Sequence, residues 1–288
     1  MHNKNNVSTF AFANKTISFL WTIITLTMQV RPKKSLGQHF LKDLNVAQQI
    51  ADSIMVFDGR MPVLEIGPGT GILTQFLLQN TCIELTAIEL DRESVNYLKV
   101  HFPDLHLIEG DFLKFNLNSI FGNKPFCIIG NYPYNISSQI FFKLLDYRDQ
   151  VPLCSGMIQK EVAERIASKP GKKTYGILSV LLQAYYDIEY LFTVNEDVFN
   201  PPPKVKSAVI RLRRNKRKQL NCDESMFRTV VKTSFNQRRK QMRNSLQQLA
   251  GKDNPLLKEP VFTKRPEQLS VDEFINLTNL ITATKTVD

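Results

Sequence analysis

The stretch MPVLEIGPGTG, residues 61–71, joins a short apolar run to a glycine-rich turn. Only Pro62 and Glu65 interrupt the apolar run, which predicts a buried strand, and residues 72–79 predict a helix after the turn. This order is typical of the start of a doubly wound α/β fold, where glycines let the backbone approach a ligand and the helix N-terminus offers free N–H groups. The spacing is GxGxG rather than GxGxxG, which weakens the prediction of a dinucleotide.

Two further predicted strands end beside acidic residues. Residues 84–90 predict a second strand that ends near Glu89, 22 residues after Gly67. A carboxylate there can accept hydrogen bonds from both hydroxyls of a ribose. Residues 105–109 predict a third strand, and Asp111 just after it can accept from an adenine amino group. Each carboxylate could instead lie at a solvated strand end. Together with the glycine turn after the first strand, however, the two acidic strand ends predict a cofactor that contains a nucleoside.

The octapeptide GNYPYNIS, residues 130–137, follows the apolar run 126–129 and precedes a helical pattern over residues 136–147. An amide, a proline and an aromatic ring therefore stand at the carboxyl end of a predicted strand, where open α/β sheets bind ligands. Our hypothesis is that Asn131 and Tyr134 hold a planar ring with an amino group, such as adenine. The alternative is an ordinary β–α turn built from common turn residues.

The rest of the pattern predicts a seven-stranded α/β domain over residues 31–215 and a small helical domain over residues 216–288. Residues 199–205 contain a proline run that predicts a rigid, extended connection between the last two strands. Ser270 and Glu273 fit a capping box at the start of the last helix. The elements predicted after the octapeptide are strand 157–159, helix 160–167, helix 174–186, strands 188–194 and 208–212, and helices 223–235, 238–249 and 271–281.

The positive charge is concentrated in one segment. Lysine and arginine number 37, aspartate and glutamate 27, and the formal net charge is +10. Residues 200–250 hold fourteen basic residues and two acidic ones, so this segment carries the whole excess. Such a segment predicts a surface that binds a polyanion, most often a nucleic acid. A solvated basic surface is the alternative.

The four cysteines have neither CxxC nor CxH spacing, and the chain has four histidines. We therefore expect buried, reduced thiols in a cytoplasmic protein. We expect neither a metal site nor a histidine-based catalytic triad. Residues 17–28 are apolar, but about twelve residues are too few to span a bilayer, which needs roughly 20. We expect residues 1–30 to be an extension outside the fold, with Met28 as the true start, and no membrane association.

Taken together, these motifs resemble the KsgA-type ribosomal RNA adenine dimethyltransferases. The stretches that carry the resemblance span most of residues 33–249. They are LGQHFL (36–41), EIGPGTG (65–71), IELDRE (88–93), EGDFL (109–113), GNYPYNIS (130–137), QKEVAERI (159–166), KTYGILSVL (173–181), FNPPPKVKSAV (199–209) and FNQRRKQMRNSL (235–246). The resemblance implies a class I S-adenosylmethionine-dependent methyltransferase, with a Rossmann-like seven-stranded sheet and an all-helical C-terminal domain. It also implies dimethylation of the N6 amines of two adjacent adenosines in the 3′-terminal hairpin loop of 16S small-subunit rRNA.

The resemblance assigns cofactor-binding roles by position. His39 and Leu41 border S-adenosylmethionine, and the turn with Gly67 and Gly69 approaches its methionine part. Glu89 binds the ribose hydroxyls, Asp111 binds the adenine, and Asn131 lies where the cofactor meets the target amine. This chain departs from the family pattern at two positions, with His39 where Asn is common and Tyr132 where Leu is common.

The target amine is a poor nucleophile because its lone pair is delocalised into the adenine ring. The Asn131 side-chain oxygen and the Tyr132 carbonyl are natural acceptors for its two hydrogens, and Pro133 fixes the backbone that presents them. Tyr134 is expected to stack on the base and Phe199 to close its other face. No titrating base is required, but the adenosine must be unstacked.

Phosphate contacts are assigned to basic residues that position the RNA rather than read its sequence. These are Lys33, Lys34, Lys172, Lys173, the run 211–218, and Arg238, Arg239, Lys240 and Arg243 on one predicted helix. The resemblance implies a partly assembled 30S subunit as the partner. We expect a monomer, although the sequence leaves a weak dimer open.

Three rival interpretations remain. One is an adenine N6-methyltransferase of large-subunit 23S rRNA that confers antibiotic resistance. Another is a non-catalytic RNA-binding assembly factor or a transcription factor with the same fold. A NAD-binding oxidoreductase is less well supported, because no catalytic acid–base pair is found.

Overall fold

The computed structural model describes residues 30–54 and 59–285, and the strands of these residues form a seven-stranded and a two-stranded sheet. The strands are β1 Phe40–Leu41, β2 Met61–Ile66, β3 Ile83–Glu89, β4 His106–Glu109, β5 Cys127–Asn131, β6 Leu153–Gln159, β7 Tyr186–Val194, β8 Phe199–Asn200 and β9 Ser207–Arg214. The α-helices are α1 Leu44–Asp52, α2 Thr74–Gln79, α3 Arg92–His101, α4 Asn118–Phe121, α5 Ser137–Asp146, α6 Lys160–Ile166, α7 Ile177–Gln183, α8 Glu224–Asn236, α9 Met242–Ser245, α10 Gln247–Ala250 and α11 Val271–Lys285. Residues 1–29 lie outside the described residues, so the expectation that residues 1–30 form an extension is not tested there.

The large sheet has the strand order β4-β3-β2-β5-β6-β9-β7. Neighbouring strands from β4 to β6 are parallel, and β9 is antiparallel to β6 and β7. The predicted α/β fold with a seven-stranded sheet is therefore confirmed. Because β2, β3, β4 and β5 are parallel neighbours, their carboxyl ends lie at one edge of the sheet.

Both faces of the sheet are buried. Val63 and Cys127 contribute to one hydrophobic cluster, which α1 and α2 cover. Leu64 and Ile128, the next residues of the same strands, contribute to the other cluster, which α5 and α7 cover. This alternation follows from the two-residue period of a strand, and burial on both faces explains why these strands are apolar almost throughout.

The C-terminal helices continue the second cluster. Phe227 on α8 and Phe274 on α11 belong to the same cluster as Leu178 and Leu181 on α7. The predicted capping box at α11 is confirmed, since Ser270 N donates to Glu273 Oε2 at 2.8 Å and Glu273 N donates to Ser270 Oγ at 3.2 Å. The helical region is thus stabilised by packing on the α/β domain.

Two predicted helices are shorter than the sequence pattern indicated. The helix predicted over residues 174–186 is limited to α7, because Tyr186 pairs with Arg214 as the first residue of β7. The helix predicted over residues 238–249 is replaced by a turn at residues 237–240 and the short helices α9 and α10. The backbone N–H of Met242 donates instead to Lys264 O at 2.8 Å, so a long-range bond overrides local helix propensity.

Candidate active site

A cavity lies at the carboxyl ends of β2, β3, β4 and β5. Its lining consists of residues 36–40, Ile66, Gly67, Gly69, residues 88–90, residues 110–113 and residues 131–136. The cavity thus brings together the glycine turn, both acidic strand ends and the octapeptide. These are the features from which the sequence predicted a nucleoside site and an amine site. Of the residues predicted for either site, Leu41 and Phe199 do not line the cavity.

The glycine turn and the end of β3 are tied together by Glu89. Gly67 and Gly69 have φ of 66° and 59°, which favours glycine, and a Cβ at Gly69 would lie 3.0 Å from the Phe40 ring. The Gly69 N–H donates to Glu89 Oε2 at 3.0 Å, and the Asp91 N–H donates to Glu89 Oε1 at 2.8 Å. Burial raises the pKa of the Glu89 carboxyl, while these backbone donors lower it. Each carboxylate oxygen keeps a further lone pair for a ligand hydroxyl.

Asp111 begins a loop that forms the next wall of the cavity. Its Oδ1 accepts from the Leu113 N–H at 2.9 Å, which fixes the side chain at the turn. The Lys143 ammonium, on α5, donates to the carbonyl oxygens of Phe112, Leu113 and Phe115, at 3.1 Å for Leu113. Desolvation lowers the pKa of Lys143. One ammonium with three acceptors therefore holds this loop against the helix that follows the octapeptide.

Residues 33–41, here called the N-terminal strap, cover the other side of the cavity. Lys33 Nζ forms an ion pair with Asp91 and lies 3.1 Å from Glu93 Oε1, and Gln38 Nε2 donates to Asp91 Oδ2 at 3.5 Å. Burial raises the pKa of the Asp91 carboxyl, but the hydrogen bonds from Lys33, Ser94 and Gln38 outweigh it and lower that pKa. The strap is thus fastened to the residue that caps α3.

The strap also contacts the octapeptide. Asn131 Nδ2 donates to His39 O at 3.2 Å, so Oδ1 of the same amide is left as an acceptor. The His39 and Tyr134 rings stack with centroids 5.4 Å apart and an interplanar angle of 27°. A Cβ at Gly37 would lie 2.7 Å from Asn135 Oδ1, which shows how closely the two segments approach.

The positions of Leu41 and Phe199 differ from what the sequence predicted. They are register partners in the antiparallel β1–β8 pair, with relative exposures of 3% and 1%. Both side chains pack into the cluster that α1 and α2 cover. Leu41 therefore does not border the cavity, and Phe199 does not provide a second stacking face in this arrangement. The two-residue pairing was missed because strands this short have no periodic signal.

Other lining residues were not predicted. Leu36 and Phe40 in the strap, and Leu90 after β3, add apolar surface to the wall of the cavity. Leu90 is 53% exposed, which is unusual for a leucine at a buried strand end. The sequence could have indicated Leu90 as a lining residue, because it directly follows Glu89 and a ligand bound by Glu89 would also contact its neighbour.

The basic residues fall into two groups. Lys33 is paired with Asp91, and Arg238 donates to Lys173 O and lies 3.9 Å from Glu267 Oε2, so both hold other segments in place. The predicted placement of Arg238, Arg239, Lys240 and Arg243 on one helix is wrong, because the first three lie in the turn before α9. The other six residues that were predicted individually to bind RNA are exposed and have no acidic partner within 4.0 Å among the described residues: Lys34, Lys172, Lys173, Arg239, Lys240 and Arg243.

The run 211–218 is largely engaged within the protein. Arg211 and Arg213 both bind Glu189 at 2.6 Å, and the hydrogen bond from Arg211 is the main reason that the pKa of this carboxyl is lowered. Other arginines of the run pair with acidic residues elsewhere, Arg214 with Asp149 and Arg217 with Asp272. The free charge of this segment is therefore smaller than its composition indicates.

Residues 30–54 and 59–285 contain no group of three His, Cys, Asp or Glu side chains that could hold a metal ion. None of the helices in these ranges combines the length and apolar character that crossing a bilayer demands.

The chain is similar to known proteins over most of its length. Residues 29–282 match the family model described as ribosomal RNA adenine dimethylase. A protein of Parabacteroides distasonis named ribosomal RNA small subunit methyltransferase A is 66% identical over 251 residues, which cover 86% of this chain and 93% of that protein. The protein of the same name from Bacteroides thetaiotaomicron is 63% identical, with 88% and 94% covered.

Two solved structures share the fold. A dimethyladenosine transferase from Plasmodium falciparum superposes with a TM-score of 0.71 at 24% identity and covers 86% of this chain and 98% of its own. The 23S rRNA methyltransferase ErmE superposes with a TM-score of 0.60 at 24% identity, with 83% and 99% covered. At this identity the two structures support the class I methyltransferase fold and do not separate one RNA substrate from another.

Proposed function

Since the chain belongs to the ribosomal RNA adenine dimethylase family, we propose that it dimethylates two adjacent adenosines in the 3′-terminal hairpin loop of 16S small-subunit rRNA. The protein is an S-adenosylmethionine-dependent methyltransferase, and each target receives two methyl groups on its N6 amine. The observation that carries the proposal is the side chain of Asn131. It lines the same cavity as Glu89 and Asp111, and its amide group is oriented by the His39 carbonyl.

The residues of the cavity fit S-adenosylmethionine. Gly67 has no side chain to fill the space where a Cβ would lie 3.9 Å from the Pro133 ring, whereas the corresponding space at Gly69 is occupied by the Phe40 ring. Glu89 and Asp111 supply carboxylate oxygens for hydroxyl and amino groups, and Leu90 supplies apolar surface for a base. The cofactor, when bound, supplies a methyl group that its sulfonium has already activated.

The protein then has to present the amine in the correct geometry. Asn131 Oδ1 and the Tyr132 carbonyl oxygen accept its two hydrogens, which draws the nitrogen towards a pyramidal form with an exposed lone pair. Pro133 restricts the backbone after them. The nitrogen lone pair would take up the methyl group as the bond from that group to sulfur breaks, and the proton that the methylated nitrogen then carries would pass to water. Because the neutral amine is the nucleophile, the site needs no histidine or carboxylate as a base before transfer.

Tyr134 is the proposed stacking surface for the target base. His39 covers one face of its ring, and the Tyr134 hydroxyl forms a hydrogen bond with Ser207 Oγ. The ring is thus held from two sides before the base arrives. Stacking of a base on such a ring contributes about 1–3 kcal/mol.

The proposed RNA surface consists of six exposed cations that have no acidic partner among the described residues, Lys34, Lys172, Lys173, Arg239, Lys240 and Arg243. The bond from Arg238 to Lys173 O brings the loop 169–173 beside the turn 237–240, which supports a shared role for the cations of these two segments. We assign residues 31–215 to catalysis and residues 216–288 to RNA binding. The proposed partner is a partly assembled 30S subunit, bound in the cytoplasm by a monomer that needs no metal ion.

The test is transfer of labelled methyl groups from S-adenosylmethionine to small subunits that lack the modification, followed by mapping of the modified bases. Two labelled adjacent adenosines, each with two methyl groups, are expected. Methylation of large-subunit RNA but not of small subunits would instead assign the chain to the antibiotic-resistance methyltransferases. Tight binding to small subunits without transfer would indicate an assembly factor.

A further inference from the structure

The Tyr132 carbonyl belongs to a residue whose side chain is buried beneath the site. The ring is 1% exposed and lies in the cluster that α5 and α7 cover. Its hydroxyl donates to Ser155 O at 2.7 Å, and its backbone N–H donates to Met157 O at 3.0 Å. Both acceptors lie on β6, so the neighbouring strand holds Tyr132 by its backbone and by the tip of its side chain.

The ring occupies a slot formed by two glycines. Gly130 on β5 and Gly156 on β6 are register partners. A Cβ at Gly130 would lie 2.9 Å from Tyr132 Cε1, and a Cβ at Gly156 would lie 2.6 Å from Tyr132 Cε2. Both distances are shorter than real side chains show. Phe141 on α5 contacts the ring edge-on, with centroids 6.1 Å apart, and thus supports it from the helix side.

We propose that the Tyr132 side chain is a positioning group for the reaction, because its burial fixes the direction of its own carbonyl. The inference rests on the proposed function, in which that carbonyl accepts one hydrogen of the target amine. To turn the carbonyl away, the peptide before Pro133 would have to rotate. Because the Pro133 ring restricts φ on the far side of that peptide, the peptide can rotate only if the Tyr132 Cα moves with it, which would pull the ring out of its slot and break the bond to Ser155.

The slot and the hydroxyl act together. A ring deep enough to reach Ser155 O has room only because positions 130 and 156 are glycines. An aliphatic side chain at position 132 would leave part of the slot empty and could not make the bond. The neighbouring acceptor, Asn131 Oδ1, is oriented separately by the strap. The two acceptors are thus positioned from opposite sides of the cavity.

The test compares Tyr132→Phe and Tyr132→Leu with Tyr186→Phe. Tyr186 is the matched control, since it is equally buried and its hydroxyl donates to Val151 O at 3.1 Å, but it does not line the cavity. Tyr132→Phe is expected to lower kcat about three- to tenfold, with KM for both substrates and Kd for S-adenosylmethionine within twofold. Tyr132→Leu is expected to lower kcat about 100-fold. Tyr186→Phe should lower the melting temperature similarly and leave kcat unchanged.

Several results would overturn the inference. An unchanged kcat in Tyr132→Phe, a change confined to S-adenosylmethionine affinity, or an equal loss of kcat in Tyr186→Phe would each do so. If Tyr132→Leu does not fold, the comparison of the two phenylalanine variants decides. A wild-type protein that methylates no RNA would remove the proposed function and this inference together, whereas an active wild type with an unaffected Tyr132→Phe variant would remove the inference alone.

Discussion

The side-chain amide of Asn131 donates a hydrogen bond of 3.2 Å to the carbonyl oxygen of His39, 92 residues earlier in the chain. The N-terminal strap therefore orients the residue that is proposed to bind the target amine. Because the same strap is fastened to Asp91 through Lys33, the cofactor side and the target side of the cavity share one support.

Replacing Asn131 with alanine should abolish methyl transfer. The variant loses one of two acceptors for the amine, and removal of a single such group typically lowers kcat by about 100- to 1000-fold. RNA affinity should stay nearly unchanged, since the phosphate contacts lie elsewhere. Single-turnover methylation and RNA titration measure the two quantities, and undiminished turnover would exclude Asn131 from the mechanism.

Lys33 and Lys34 should behave differently although they are neighbours. Lys33→Met removes the ion pair with Asp91 and should weaken S-adenosylmethionine binding about two- to fivefold through a looser strap. Lys34→Met should leave cofactor binding unchanged and lower RNA affinity, because Lys34 is exposed and unpaired among the described residues. Calorimetric titration of both variants checks this, and an RNA defect alone in Lys33→Met would restore its predicted RNA-binding role.

Lys143→Met should loosen the loop that carries Asp111. The variant leaves three carbonyl oxygens without their ammonium donor, which costs about 1–3 kcal/mol of unfolding free energy for charged hydrogen bonds. We expect Kd for S-adenosylmethionine to rise about tenfold while kcat at saturation changes little. Lys232→Met, which loses only a cation–π contact with Phe142, is the control on the neighbouring surface.

Glu65 should make stability depend on pH. Burial raises its pKa from 4.5 to about 8, against the lowering effect of the Thr74 hydroxyl at 2.7 Å. The folded state thus binds a proton that the unfolded state releases above pH 4.5. This contribution to stability is complete below that pH and is lost as pH rises through 8. The Glu65→Gln variant has no group that titrates at this position. Its free energy of unfolding, measured relative to that of the wild type, should therefore increase by about 2–4 kcal/mol between pH 5 and pH 8. Urea unfolding at several pH values tests this, and parallel curves would contradict it.

Reversing Arg239 and Arg243 to glutamate should weaken RNA binding and flatten its salt dependence. Each lost phosphate contact should reduce the slope of log K against log salt by about 0.7–0.9. Arg238→Gln should act differently, since Arg238 binds the 169–173 loop and its loss should lower stability as well as affinity. If the double reversal leaves the slope unchanged, this surface does not face the RNA.

Much of the site could be predicted from local patterns. Glu89 and Asn131 could be identified because each ends a short strand, and Asp111 because it lies two residues after one, and parallel strands bring their carboxyl ends to one edge. Phe199 and Leu41 could not be placed in the same way. The motifs in which they lie predicted that both residues border the site. In the structure they are partners in an antiparallel pair, and both side chains are buried in the core.

The amino-acid sequence by itself determined the α/β fold, the residues at the strand ends and the concentration of positive charge, because periodicity, turns and composition are local properties of the chain. Only the tertiary structure decided which arginines of residues 200–250 are paired with distant carboxylates and which cations remain free. It also decided that the strap lines the cavity and that the Tyr132 ring lies in a glycine slot. These features depend on contacts between segments 20 to 100 residues apart, and such contacts follow from packing rather than from any single stretch of sequence.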